Sequence, residues 1–146
     1  MPGLSDSSGN NVLVSDRSVM RTDCQSRLDL LTQQFTSIAF ACLSTVDGRL
    51  FAYASRVTGA DPRHRSAMTS SLLALSESMA KEALRSRCTY SVVAAEHGVI
   101  IAVRVPCKSR SFALSVGADS SDILAMTLRV TLDASDALAT IIDRSA

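Results

Sequence analysis

Residues 37–57 read SIAFACLSTVDGRLFAYASRV, and the pair Asp47-Gly48 at their centre decides how they fold. Before it, Ile38, Phe40 and Cys42 alternate with Ala39, Ala41 and Leu43. After it come Leu50, Phe51, Ala52, Tyr53 and Ala54. Two apolar runs joined by Asp-Gly make a hairpin, because a two-residue type I′ turn needs positive φ at both central positions and these residues tolerate it. The pattern predicts strands at about 38–46 and about 49–57. A phosphate or metal loop is the competing reading of an acidic-Gly pair. It fails because no Gly-rich extension and no Lys-Ser/Thr follows.

Upstream, Met20, Cys24, Leu28, Leu31 and Phe35 lie along one side of a helix at about 17–35, with Asp16 or Ser18 as its cap. Residues 1–16, MPGLSDSSGNNVLVSD, are rich in Ser, Gly, Asn and Asp and read as a flexible N-terminal tail to a single domain at 17–146. Downstream, Asp61-Pro62 opens a helix that runs to about Arg87. Asp is a good N-cap, and Pro suits a position whose N–H has no intrahelical partner. Met68, Leu72, Leu75, Met79 and Ala83 form one apolar stripe on it, and Leu73, Ala80 and Leu84 a second beside it. The two cover about half the circumference, more than a helix packed on one surface needs. Strands follow at 88–96, 99–106 and 111–118, with turns at His97-Gly98 and Lys108-Ser109-Arg110. Asp119, with Asp122 in the capping-box position, starts a last helix. Leu124, Leu128, Leu132, Leu138 and Ile142 supply its apolar side, and it ends near Asp143. The order is α-β-β-α-β-β-β-α: an α/β chain with a five-stranded antiparallel sheet and flanking helices.

The chain has 146 residues, enough to bury a core without disulfides or metal. Its net charge of +1 gives no long-range attraction to nucleic acid or anionic membrane. Aromatic residues are scarce and Trp is absent, so a base-stacking surface is not expected. No apolar run reaches the roughly 18 residues of a membrane span, and no basic-then-apolar leader opens the sequence. The four cysteines, Cys24, Cys42, Cys88 and Cys107, include no C-x-x-C pair, and with only His64 and His97 to join them no zinc-like spacing arises. The expectation is a cytoplasmic protein with reduced thiols, Cys42 and Cys88 in the core, and neither metal nor cofactor.

Taken together, STVDGRLFAYAS, MTSSLLALSESMAKEAL, YSVVAAEHGVIIAVRV and FALSVGADSSDILAMTLR, in that order, resemble the roadblock family, named after a dynein light chain. The likeness covers about residues 18–143, and it is the combined order and spacing that carries it. It implies a roadblock, profilin-like layered fold. It also implies a homodimer or heterodimer in which the long second helix packs on its dyad mate and the third strand pairs across the dyad. The family's recurring task is to bind and regulate small GTPases of the Ras and Rab type, or to scaffold motor and signalling complexes. Bacterial members include a dimeric gliding-motility protein that stimulates a Ras-like GTPase. Two departures stand out: the junction QQFTSI (33–38) lacks the usual Pro-Gly, and TGADPRHRSA (58–67) is unusually basic.

The function that follows is a non-enzymatic homodimeric regulator of a Ras-like small GTPase. The alternatives are an assembly subunit that leaves GTP turnover unchanged, or a small-molecule sensor. Leu73, Glu77, Ala80 and Leu84, with Ser70, Ala74, Tyr90 and Val92, are the candidate dimer or partner interface. Arg63 and Arg65 are candidates for contact with an acidic partner, and Arg104, Lys108 and Arg110 read as solubility and edge protection. Ser78-x-x-Lys81 has the spacing of the penicillin-recognising hydrolases, but the S-D-N and K-T-G elements that accompany it are missing. Lys81 has a simpler partner one turn back in Glu77. No nucleophile, base and oxyanion-hole arrangement stands out, and no catalytic residue is assigned.

Overall fold

The computed structural model describes residues 7–59, 61–120 and 124–145. The central hairpin forms, but on a different turn. β1 (Ile38–Thr45) and β2 (Leu50–Ser55) pair antiparallel, with a register shift between Leu43 and Ser44. Gly48 has φ +93°, whereas Asp47 keeps a negative φ. The Gly48 N–H donates to the Thr45 carbonyl (3.0 Å) and the Thr45 N–H to the Arg49 carbonyl (2.9 Å). This is the longer hairpin loop that closes on a glycine, not the two-residue type I′ turn.

The remaining elements are α1 (Ser7–Gln34), α2 (Pro62–Leu84), β3 (Ser91–Ala95), β4 (Gly98–Val105), β5 (Phe112–Ala118) and α3 (Leu124–Arg144). They give the order α-β-β-α-β-β-β-α expected from sequence. The predicted boundary between tail and domain at 16/17 falls inside α1, which begins at Ser7. The strands form one antiparallel sheet in the order β2-β1-β5-β4-β3. β5 sits at its centre, and all its residues are buried, as a strand covered on both faces must be.

The two faces differ in chemistry. Alternate residues of β4, namely Val99, Ile101, Val103 and Val105, point to the side covered by α1 and α3. There they join Leu43, Leu114 and Val116, and Met20, Cys24, Leu28 and Leu31 of α1 close over them together with Leu138 and Ile142 of α3. Each large side chain so buried contributes about 1.5–3 kcal/mol of hydrophobic stabilisation. The opposite face, under α2, carries small and polar residues: Cys42, Ser44, Ala102, Ala113, Ser115 and Gly117. Its apolar cluster is only Leu73, Ala102 and Ala113, with Leu72 packed against them.

Two expectations change here. In α3, Leu124 and Leu132 are exposed, and the buried side includes Thr127, Thr131, Ala134 and Ser135 beside Leu138 and Ile142. The Thr131 hydroxyl donates to the Thr127 carbonyl one turn back, so its polarity is met inside the helix. The helix is described from Leu124, and Asp122 of the expected capping box lies outside the described residues. Cys88 is not a core residue. It is half-buried in the link from α2 to β3, and its Sγ lies 3.4 Å from the Tyr90 carbonyl.

Candidate partner-binding surface

Helix α2 starts as its sequence dictates. The Asp61 carboxylate accepts the Arg63 N–H (3.0 Å), and Pro62 occupies the first turn. Its buried side is Ser66, Thr69 and Leu73, residues that follow one another at helical spacing. These small side chains let α2 approach the sheet closely. Cys42 Sγ lies 3.3 Å from Ser66 Oγ, and Thr69 Oγ1 lies 3.0 Å from Ser115 Oγ. Burial raises the Cys42 thiol above its ordinary pKa, so it is a poor nucleophile.

This orientation redistributes the candidate interface residues. Leu73 is 4 % exposed and packs on the chain's own sheet, so it is not free to meet another subunit. Ser70 is half-buried and its hydroxyl donates to the Val46 carbonyl, which ties α2 to the β1–β2 loop. Glu77 is half-buried too, but its partner is not Lys81. It receives a bidentate pair from Arg104 of β4, with Nε at 2.8 Å and Nη2 at 2.9 Å. Arg104 is thereby a link between sheet and helix and not merely edge protection. Ala80 is half-buried, and Ala74, Leu84, Tyr90 and Val92 are exposed. Arg63 is exposed, while the guanidinium of Arg65 lies 4.0 Å above the Phe40 ring. Ser78, Lys81, His64 and His97 are all exposed.

Of the first apolar stripe, Leu72 packs on the inner cluster, but Met68, Leu75 and Met79 face out. Met68 is 56 % exposed, Leu75 and Met79 are each 62 % exposed, and Leu84 is 75 % exposed. An exposed leucine by itself means little, but Met68, Leu75 and Met79, seven and four residues apart, share one side of the helix and form a patch, whereas Leu84 lies on the opposite side in the last turn. Val92 and Val93 of β3 stand exposed nearby in chain order, beyond the turn that ends α2. The signal that could have identified the buried stripe was the row Ser66, Thr69, Leu73 set against the small residues of the inner sheet face.

The two sheet edges are treated differently. On β2, the Gln25 side chain of α1 donates to the Tyr53 carbonyl (2.7 Å) and accepts the Tyr53 N–H (3.1 Å). That amide takes the place of a neighbouring strand. β3, the other edge, pairs only with β4 and carries neither Pro nor charge between Ser91 and Ala95. An edge of this kind invites another strand.

At the far end of α2, Arg85 closes the helix in the left-handed region (φ 50°) and its N–H reaches the Ala80 and Lys81 carbonyls. A basic cleft of about 750 Å³ opens beside it, lined by Lys81, Arg85, Arg87 and Arg104 with Glu77 and Cys88. Cations at a helix C-terminus are favoured by the helix dipole, which accounts for part of this clustering.

No family model and no curated protein matches the sequence. Solved structures do match. MglB of Myxococcus xanthus superimposes with a TM-score of 0.74 at 18 % identity, over 86 % of this chain and 92 % of that one. The gliding protein MglB of Thermus thermophilus gives 0.72 at 16 % identity, over 86 % and 92 %. A Roadblock/LC7 domain from Streptomyces avermitilis gives 0.69 at 16 % identity, over 81 % and 96 %. The chain therefore has the roadblock fold.

Proposed function

We propose that this chain is a homodimeric, non-catalytic regulator of a Ras-like small GTPase, acting by binding. The observation that carries the reading is the bare β3 edge together with the outward apolar stripe of α2, on a fold shared with MglB. An edge strand lends main-chain hydrogen bonds to a second copy, and the stripe lends apolar area. Stable association takes about 800 Å² from each partner. The resemblance to roadblock proteins supplies the GTPase, since binding such GTPases is that family's recurring task. Among the described residues no helix is long and apolar enough to cross a membrane, and a cytoplasmic location is part of the same reading.

Light scattering on the wild type and on Leu75→Arg tests the first half. The wild type should weigh twice the chain's 15.5 kDa, and the variant should shift toward the monomer. A monomeric wild type at micromolar concentration removes the basis of the reading. The second half is tested by pull-down with Ras-like GTPases from the same cells, followed by GTP hydrolysis with and without the protein. Binding with unchanged turnover would mark it instead as an assembly subunit.

A further inference from the structure

Between α2 and the sheet lies a second cavity of about 220 Å³, lined by Phe40, Met68, Leu72, Val93, Ile100 and Arg65, with Thr69 and Ser115 at its polar margin. Its walls are almost wholly apolar, yet one of them carries a cation. The Arg65 guanidinium lies 4.0 Å above the Phe40 ring and 5.9 Å from the Tyr53 ring centre. The ring face offsets part of the charge but accepts no strong hydrogen bond. Arg65 Nη1 is enclosed without a hydrogen-bond partner, and no carboxylate among the described residues pairs with the guanidinium. Tyr53 Oη, on the ring that faces the same guanidinium, is enclosed without a partner too. Leaving such donors unmet costs on the order of 1–3 kcal/mol for each neutral one and more for a charged one.

The neighbouring hydroxyls do not relieve this. The Thr69 hydroxyl donates to the Arg65 carbonyl (2.9 Å) and lies 3.0 Å from Ser115 Oγ, and neither oxygen accepts from Arg65 Nη1. What the cavity lacks is an acceptor of negative charge, and what it offers besides is apolar room. Position 117 must be Gly to permit this arrangement. A Cβ there would stand 2.0 Å from Phe40 Cε1, so the ring that supports Arg65 lies flat on the glycine.

We propose that this cavity binds a small aliphatic monocarboxylate, with its head on Arg65 and its chain between Met68, Leu72, Val93 and Ile100. At about 30 Å³ for each water-sized group, the volume takes about seven, the size of a hexanoate or octanoate chain. An Arg–carboxylate pair in such surroundings is charge-assisted and geometrically specific. The proposal does not rest on the GTPase reading, although the cavity shares Met68 with the outward stripe of α2 and Val93 with the β3 edge.

The test is titration of the wild-type protein with octanoate, below its micelle-forming concentration, followed by the methyl NMR signals of Met68, Leu72, Val93 and Ile100. Saturable shifts confined to these methyls are expected, with octanol binding at least about tenfold more weakly. Arg65→Met should weaken octanoate to the level of octanol. Ile100→Phe, which fills the cavity and keeps Arg65, should abolish both, and it decides the matter if Arg65→Met does not fold. No saturable shift, or equal affinity for acid and alcohol, overturns the proposal. So do methyl shifts that follow protein concentration and ignore octanoate, since they would assign the cavity to a second copy of the chain.

Discussion

Arg56 closes the C-terminal end of α1 from another element. Its Nε donates to the Thr32 carbonyl (2.9 Å), and its other nitrogens donate to the carbonyls of Thr32 and Thr36. The last carbonyls of a helix have no intrahelical partner, and a Pro-Gly or Gly turn is the usual remedy. QQFTSI contains neither, so the arginine at the end of β2 supplies the missing donors. Arg56→Ala should lower the unfolding free energy by about 1–2 kcal/mol in urea titration, with Arg56→Lys intermediate. An unchanged midpoint for Arg56→Ala would show that water serves equally well. Cys24 provides a second residue-scale expectation. Burial, reinforced by the nearby Asp23, raises its pKa from 9.0 to about 11. A raised thiol pKa means the native state holds a proton that the unfolded chain releases. Its contribution is therefore complete below pH 9 and is lost as pH climbs toward about 11. Cys24→Ala should flatten the fall in stability across that window, and equal slopes in the two proteins would contradict it. Cys24 belonged visibly to an apolar stripe in the sequence. Arg56 did not announce its role, because its partners lie twenty and twenty-four residues upstream.

Among the elements, α2 was the easiest to find and the hardest to orient. Its start was legible from Asp61-Pro62, and its end at Leu84 falls close to the expected one. Its faces were not legible, because leucines and methionines run around much of its circumference. The sheet decided which side turned in: a surface of Cys42, Ala113, Ser115 and Gly117 has no room for a row of methionines and admits Ser66 and Thr69. α3 also turns threonines inward, with Thr127 and Thr131 buried and Leu124 and Leu132 outside, although it packs on the larger residues of the other sheet face. In both helices a threonine met its own polarity by bonding the carbonyl one turn back. Close approach of α2 can be tested at Gly117. Gly117→Ala must displace the Phe40 ring and with it the Arg65 stack, and overpacking of this kind costs about 1–3 kcal/mol. Phe40→Ala in the same background should recover part of that loss, since the collision is with the ring alone. A Gly117→Ala protein as stable as the wild type would mean that the ring moves aside freely.

At the scale of the whole molecule, the sheet order β2-β1-β5-β4-β3 joins the first hairpin to the last three strands through β1 and β5. Local patterning identified each hairpin but could not supply this joint. The pairing Thr45↔Phe112 links residues far apart in the chain, and no short stretch encodes it. The joint leaves β2 and β3 as the two edges, and their unequal protection bounds how copies of the chain can add to one another. Gln25 occupies the hydrogen-bonding groups of Tyr53 on one edge, whereas β3 is bare. Two copies that pair through β3 would expose only β2 edges, each closed by its own glutamine, so growth should stop at two. Gln25→Leu keeps an apolar stem and removes both hydrogen bonds, which frees the β2 edge to accept a strand. Dynamic light scattering should then report species larger than the wild type, increasing with protein concentration. Val92→Lys added to Gln25→Leu should reduce them by charging the other edge. If Gln25→Leu scatters like the wild type, the glutamine serves only to hold α1 against β2, and the limit to association lies elsewhere.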